Sequence, residues 1–344
     1  MPSRSNKAAP RRRDAAVGEA GSFPYSGVRR ARPLLGTFVE IEVGGLGESA
    51  AHRVIGEAFA AVEEVQRRMS FHDPASVLSR INREATERAV AVDAWTFEVL
   101  SAAAEVQRVS GGVFDVTVAP HLEALGFLPG RDGTPCRPPG KRSEAVGIGS
   151  RSRTARSAIP TRASFADVEL LVENRVRFHR ADVRLDLGGI AKGFAVDQAV
   201  AALQRRGVPR GLVNAGGDLR AFGDRPQRIA VRHPENPQAM HYALRLQNAA
   251  LATSAHYFAG RWSPGQTLAP IVDPRTGARA ERVRSATVRA PSAMLADALT
   301  KVVMLTGEDA LPVLTHFRAD AIFIATGARA MCSPGWLCHA PASA

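Results

Sequence analysis

The sequence predicts an α+β (mixed α/β) fold, in which helices flank mixed sheets. Several short stretches alternate apolar and polar residues, which is typical of half-exposed strands. Longer stretches carry apolar residues at helical spacing together with good helix formers. The two kinds of stretch are intermixed along the chain, without the strand–helix–strand repeat of a parallel sheet. We therefore expect helices packed against sheets of mixed connectivity.

The first half of the chain predicts one strand followed by two helices. From Thr37, the stretch TFVEIEV alternates apolar and acidic residues and predicts a strand. From Ser49, the stretch SAAHRVIGEAFAAVEEVQRRM has the apolar spacing of a helix. After MSFHDPASVLSRIN comes a second helical stretch, WTFEVLSAAAEVQRVSGG, which Gly111 and Gly112 stop.

The second half predicts more strands and two more helices. The stretch VELLVENRVRFHRADVRLDL predicts paired strands. The stretch FAVDQAVAALQRRG predicts a helix that ends at Gly207. GLVNAGGDLRAFG and several short strands follow. The stretch SAMLADALTKVVMLTG then predicts the last helix of the chain.

The net charge of +12 comes from two segments. Residues 1–32 and 128–162 each hold eight Lys or Arg against two acids, so the rest of the chain is neutral. Both segments are rich in Pro, Gly, Ser and Ala and lack periodicity, which predicts a disordered basic tail and a basic loop insertion. Neither interleaves aromatic residues as a nucleic-acid surface would, so we expect solvated charge and no nucleic-acid partner. The folded domain is predicted over 33–326, and a C-terminal tail over 327–344.

The composition also bears on the compartment. The chain has no run of eighteen apolar residues, so we expect no membrane span. The arginines at 11–13 have no apolar segment behind them, which argues against a signal peptide, and no lipobox is seen. Three cysteines give neither a disulfide framework nor a zinc spacing. A cytoplasmic location is the expectation, with export as the alternative.

The stretch DLGGIAKGFAVD, residues 186–197, is the strongest single candidate for a binding site. Gly188 and Gly189 precede a predicted helix, and glycines at a helix start let an anion approach the backbone amides. Lys192 would add a point charge for a phosphate. The stretch matches neither the P-loop nor the dinucleotide-binding fingerprint. A tight turn between a strand and a packed helix is therefore an equal interpretation.

The order of several stretches is more specific than any one of them. Along the chain occur LLGTF, MSFHDPASVLSRIN, GGVFDVTVAP, DLGGIAKGFAVD, LVNAGGDLRAFG, LATS, IVDPRTG and MLADALTKVVMLTG. This series resembles the ApbE family, the FAD:protein FMN transferases, from about residue 33 to 326. The resemblance implies an ApbE-like flavin transferase fold. It also implies an enzyme that, with FAD and Mg²⁺, transfers FMN to a Thr or Ser hydroxyl of an acceptor flavoprotein and releases AMP.

The resemblance also implies which residues bind FAD. Asp186 and Lys192 are expected to contact it. Further cofactor-binding residues would be Leu35, Phe71, His72, Asp115, Val116, Thr117 and Ile271, with Thr253, Ser254 and Asp273 nearby. Each has an alternative interpretation from the sequence. Phe71 and Ile271 could belong to the core, and Asp273 before Pro274 could only shape a turn.

The magnesium site implied by the resemblance lies on the last predicted helix. Cleaving a diphosphate requires neutralisation of developing negative charge. The family pattern D-A-L-A-T supplies Asp and Thr, whereas this chain has DALTK, with Lys301 at the family's Thr position. Thr300 stays on roughly the same face as Asp297. The predicted metal set is the Gly189 carbonyl, Asp297, Thr300 and Lys301, the alternative being an Asp297–Lys301 surface pair.

A second departure concerns acceptor activation. The family's S-H-I-I-D-P stretch is APIVDP here, which puts Pro270 where a His stands. Proline offers no base, so His256 or His72 would have to serve, and His256 and Asp297 are the predicted catalytic residues. The acceptor would carry a motif similar to D-x-x-[ST]-x-A-T. The alternative function is a FAD-binding or FAD-hydrolysing member that has lost protein flavinylation.

Overall fold

The structure, a computed structural model, describes residues 27–130, 163–232, 240–255, 271–326 and 330–337. Helices and antiparallel sheets are intermixed along these residues, which confirms the predicted α+β fold. The described strand pairs are all antiparallel, so the expectation of mixed sheets is wrong for this part of the chain. Several sequence predictions lie outside the described residues, among them His256, Pro270 and nearly all of the basic loop.

An eight-stranded sheet forms the centre of the described residues. Its strands are β1 (Gly27–Leu34), β2 (Thr37–Gly44), β6 (Arg210–Ala215), β7 (Asp218–Gly223), β10 (Ala249–Ala255), β11 (Val283–Ala290), β12 (Asp320–Ala325) and β13 (Ala330–Cys332). They lie in the order β1-β2-β6-β7-β10-β11-β12-β13, and every neighbouring pair is antiparallel.

Two smaller sheets accompany it within the described part of the chain. One has the order β3-β5-β4 and the other pairs β8 with β9. Their strands are β3 (Val90–Ala91), β4 (Val168–Leu171), β5 (Arg175–Phe178), β8 (Gln227–Arg232) and β9 (Met240–Leu246). The strands β4 and β5 are the pair that the sequence predicts after residue 167.

The helices cover the central sheet. They are α1 (Glu48–Met69), α2 (Val77–Glu84), α3 (Ala94–Val109), α4 (Ala119–Ala124), α5 (Ala191–Arg205), α6 (Ala293–Thr306), α7 (Leu311–His316) and α8 (Pro334–Leu337). Helix α6 contacts β10 and β11, α5 contacts β6 and β7, and α1 packs against α5. One continuous apolar core therefore lies between these helices and the sheet.

The sequence pattern explains the two best-predicted elements. In β2, Val39, Ile41 and Val43 are buried and the intervening glutamates are half-buried, as the alternation predicts. In α1 the buried residues recur at helical spacing along the whole helix. Because both patterns follow from burial of one face, they are local signals.

The structure corrects the predicted boundaries at both ends. Strand β1 begins at Gly27 and pairs with β2 along its length, so residues 27–32 are not a tail. As the edge strand of the sheet, β1 is mostly exposed and lacks apolar alternation, and Arg29 pairs with Glu40 at 2.6 Å. At the other end, β13 and α8 lie inside the predicted tail, where Trp336 is buried. Helix α7 also follows the helix predicted to be last.

Candidate active site

A cavity of about 1040 Å³ opens where the turns β1–β2 and β6–β7 lie beside the end of β10. Helix α6 and the stretch that leads into α5 form its inner wall. At the β1–β2 turn, Leu35 has a φ of +55°, which residues with a side chain rarely adopt. The lining includes Leu35, Asp115, Val116, Asp186, Gly189, Lys192, Asp218, Ser254, Ile271 and Lys301.

Close contact of α5 with α6 assembles the polar part of this wall. A Cβ added at Gly193 would lie 2.1 Å from the carbonyl oxygen of Ala293, so only glycine allows this approach. The Asp197 carboxylate accepts hydrogen bonds from the amides of Ala293 and Met294 at 3.0 and 2.9 Å. These contacts fix the first turn of α6 on α5. Lys192 and α6 are thereby brought together.

Two lysines and two aspartates meet at this contact. The Lys192 Nζ lies 2.5 Å from Asp218 Oδ2 and 3.2 Å from Asp297 Oδ2. Lys301 Nζ donates to Asp297 Oδ1 and, at 3.0 Å, to the Asp297 carbonyl oxygen. Asp297 is fully buried, and Asp218 nearly so. The cluster is therefore a buried ion-pair network with its lysines at the cavity wall.

The network shifts the pKa values of Lys192, Asp218 and Asp297. Burial opposes the charged form of Lys192, but the carboxylates of Asp218 and Asp297 outweigh it and raise the pKa of the ammonium. Burial would raise the pKa of Asp297, but Lys192 and Lys301 hold it below its ordinary value. Burial and the neighbouring Asp297 raise the pKa of Asp218. Of the two carboxylates, Asp297 is therefore the one whose charged form the lysines favour more strongly.

Asp186 lines the cavity at the glycine turn. Its carboxylate accepts a hydrogen bond from the Gly188 amide at 3.2 Å, and burial raises its pKa. Its own amide donates to the Val116 carbonyl oxygen at 2.8 Å. This bond ties the glycine turn to the wall formed by residues 113–116.

Asp115 is a buried part of the cavity wall. It is buried, and its carboxylate accepts hydrogen bonds from the Thr117 amide, the Thr117 hydroxyl and the Phe165 amide at 2.8, 2.8 and 2.9 Å. Burial raises its pKa. Asp115 and Val116 line the cavity, but Thr117 is not among the lining residues because its hydroxyl is directed to Asp115.

The remaining predicted flavin contacts divide into two groups. Leu35 and Ile271 line the cavity. Phe71 packs on the core with the Arg184 guanidinium 5.1 Å from its ring centre, and His72 is exposed. Neither of these two residues is among the described residues that line the cavity. The alternative interpretation, that Phe71 belongs to the core, agrees with its position.

The residues predicted for magnesium do not fit a divalent cation. Lys301 occupies the site with its own ammonium, bonded to Asp297, and its Cε packs against Gly189. Thr300 is fully buried, donates to the Asp297 carbonyl oxygen at 2.7 Å and is 2.8 Å from the Ser254 hydroxyl. No group of three or more His, Cys, Asp or Glu suited to a metal occurs in the described parts of the chain.

Sequence reasoning missed Asp218 and Asp197. Asp218 follows the β6–β7 turn, where Gly216 and Gly217 have φ of +63° and +105°. The repeated pattern of two glycines beside an aspartate, at residues 186–189 and 216–218, was the available signal. Asp197 lies in the helical stretch itself, and nothing local distinguishes it from a surface residue.

Comparison with known proteins identifies the family. The ApbE family profile matches residues 35–323. The chain belongs to the ApbE family. The FAD:protein FMN transferase of Vibrio cholerae is 30% identical over 295 residues, covering 83% of both chains. That of Haemophilus influenzae is 29% identical over 266 residues, covering 74% of this chain and 72% of that protein.

Solved ApbE structures share the fold. The ApbE protein of Thermotoga maritima superimposes with a TM-score of 0.76 at 27% identity, covering 92% of this chain and all of that one. The flavin transferase ApbE of Vibrio cholerae gives 0.73 at 25% identity, with 91% and 99% covered. None of the helices described for this chain is long and apolar enough to span a bilayer.

Proposed function

We propose that this chain is a FAD:protein FMN transferase that moves FMN from FAD to a Thr or Ser hydroxyl of an acceptor flavoprotein and releases AMP. The observation that carries the proposal is the cavity with Lys192 and Lys301 on one wall. Its volume, about 1040 Å³, is at the upper end for ligand pockets and suits a dinucleotide. Membership of the ApbE family and relatives named for this activity support the proposal.

The chain's own residues would bind the two ends of FAD differently. The diphosphate suits the start of α5, where the Lys192 ammonium lines the cavity and favours an anion. The neighbouring amides are already used, since that of Ala191 donates to the Leu187 carbonyl oxygen at 2.9 Å and that of Gly193 to Asp297 at 3.2 Å, so the ammonium is the main anion contact. Leu35, Val116 and Ile271 offer apolar surface for the flavin ring.

The proposed reaction is a phosphoryl-group transfer. A bond forms between the acceptor hydroxyl oxygen and the flavin-side phosphorus of FAD, and the bond from that phosphorus to the bridging oxygen breaks. AMP leaves with the bridging oxygen, and the hydroxyl proton passes to a base. Charge builds on the bridging oxygen, where a positioned ammonium stabilises it.

The resemblance also implies a base and a metal ion for this reaction. His256 remains a prediction for the base, since it lies outside the described residues. The resemblance implies magnesium dependence, but Lys301 occupies the donor groups that would bind the ion, so the proposed reaction takes its cation from the chain itself.

The test is incubation with FAD and a peptide carrying the D-x-x-[ST]-x-A-T motif. We expect the peptide to gain one FMN moiety less one water by intact mass, with one AMP released per peptide by chromatography. The same peptide with alanine at the acceptor position is the control and should stay unmodified. FMN and AMP in solution with an unmodified acceptor peptide would refute transfer and favour the FAD hydrolase alternative.

A further inference from the structure

We propose that the Lys301 ammonium, anchored on Asp297, is the built-in cation of the diphosphate site, so that the site holds FAD without a resident divalent metal. The inference rests on the proposed function in taking a dinucleotide diphosphate as the ligand. It departs from what the family resemblance implies, and the contacts of two side chains carry it.

The acceptor capacity of Asp297 is already used. Oδ1 accepts from Lys301 Nζ and faces Lys192 Nζ at 3.4 Å. Oδ2 accepts from Lys192 Nζ and from the Gly193 amide, both at 3.2 Å. A carboxylate offers about four acceptor positions, and magnesium needs one of them at about 2.1 Å. A divalent ion would therefore have to displace an ammonium.

The position of Lys301 is fixed along its whole length. Its Cε packs 3.4 Å from where a Cβ of Gly189 would be, and its Nζ also donates to the Asp297 carbonyl oxygen one helical turn earlier. Its side chain is only 18% exposed but lines the cavity. The ammonium thus lies beside Gly189 and Asp297, where the resemblance would put the metal.

The helix provides no substitute oxygen ligand facing the cavity. The Thr300 hydroxyl is fully buried and satisfied by the Asp297 carbonyl and Ser254. Lys192 adds a second ammonium beside the same carboxylate. The two ammonium groups neutralise Asp218 and Asp297, so this cluster keeps no net negative charge that would attract a divalent cation. Their N–H groups lie at the cavity wall, where they can contact a diphosphate.

The first measurement compares FAD affinity with and without metal. Wild-type protein is titrated with FAD by flavin fluorescence in chelator and again in excess Mg²⁺. We expect the two dissociation constants to agree within about twofold, since the cation is part of the chain. Mn²⁺ added to the FAD-free protein serves as a paramagnetic probe, and we expect no stoichiometric binding. A tenfold weaker affinity in chelator, or one bound Mn²⁺ per chain, would overturn the inference.

Three variants assign the effect to Lys301. Lys301→Met and Lys301→Thr should each bind FAD at least tenfold more weakly in chelator. Mg²⁺ should restore affinity to Lys301→Thr, which frees an Asp297 oxygen and supplies a hydroxyl, but not to Lys301→Met. Arg289→Met is the matched control, because Arg289 is similarly buried, pairs with Asp320 outside the cavity lining and should leave affinity unchanged. Unchanged FAD affinity of Lys301→Met in chelator would refute the role of the lysine.

These readouts separate the inference from the proposed function, because FAD and Mn²⁺ binding need no turnover. Metal-independent FAD binding without peptide modification would refute the transferase and support the built-in cation. Peptide flavinylation by a wild-type protein that binds FAD only with Mg²⁺ would support the transferase and refute the built-in cation. Thermal melting of each variant checks that it is folded.

Discussion

Replacement of Gly193 by alanine tests whether the α5–α6 contact assembles the site. The added Cβ would lie 2.1, 2.5 and 2.7 Å from three backbone atoms of Ala293 and Met294. Ordinary contact begins near 3.4 Å, so the helices must separate by the difference from 2.1 Å, which is 1.3 Å. Backbone atoms cannot rotate away as a flexible side chain can, so the two helices themselves must move.

The cost of this separation is large because two effects add. Overpacking a close-packed interior costs about 1–3 kcal/mol, occasionally more. The displacement also lengthens the contacts of Asp297 with Lys192 and the Gly193 amide, and weakening a buried ion pair adds to the loss. We expect Gly193→Ala to lower the free energy of unfolding by at least about 3 kcal/mol, and to weaken FAD binding.

Denaturant unfolding measures the effect against a matched control. Gly56 lies within α1, and a Cβ there would meet no atom within 4 Å. Gly56→Ala should therefore gain about 0.5–1 kcal/mol from helix propensity. A Gly193→Ala variant that unfolds within about 0.5 kcal/mol of wild type would show that the helices are not packed this closely, and the reasoning about the site would fail.

Three further predictions concern the caps and charges. Asp93→Ala should cost about 1–2 kcal/mol in denaturant unfolding, because Asp93 accepts from two amides of α3 and from Arg68; a loss no larger than that of Asp93→Asn would contradict the capping role. Hydrogen bonds from Arg67 lower the pKa of Glu64 to about 2 from 4.5 in the unfolded chain. Its stabilisation is therefore complete above pH 4.5 and lost as the pH falls through 2. The melting temperature of Glu64→Gln should be below wild type at pH 7, and the gap should narrow as the pH falls from 4.5 towards 2. A gap of constant size over this range would refute the pairing. Lys192→Ala should weaken FAD binding at least about tenfold by calorimetry, and unchanged affinity would remove its phosphate role.

The sequence predicted those parts of the fold whose signals are local. The alternation in β2 and the helical spacing in α1 each reflect burial of one face, so a short window contains the whole pattern. Most of strand β1 was predicted as part of the tail, because an edge strand buries little and is defined by its pairing with β2. Helix α2 spans only eight residues, too few to show a repeated period.

The sequence predicted several residues of the site but not the contacts between them. The ordered stretches pointed to Asp186, Lys192 and Asp297, and the structure brings all three to one place. The partners of Lys192 lie 26 and 105 residues away, so no spacing rule could pair them. The sequence predicted Asp297 and Lys301 for a metal site, with a surface ion pair as the alternative, whereas the structure forms the pair and buries it. Because the pair is buried, Asp297 fixes the Lys301 ammonium at the cavity wall.

A crystal structure of the protein with FAD, grown and soaked in chelator, tests the central claim most directly. We expect the FAD diphosphate within hydrogen-bond distance of Lys301 Nζ, the flavin ring against Leu35 and Ile271, and no metal density beside Asp297. A dinucleotide bound outside the cavity, or a metal ion between Asp297 and the diphosphate after growth in Mg²⁺ with Lys301 displaced, would contradict it.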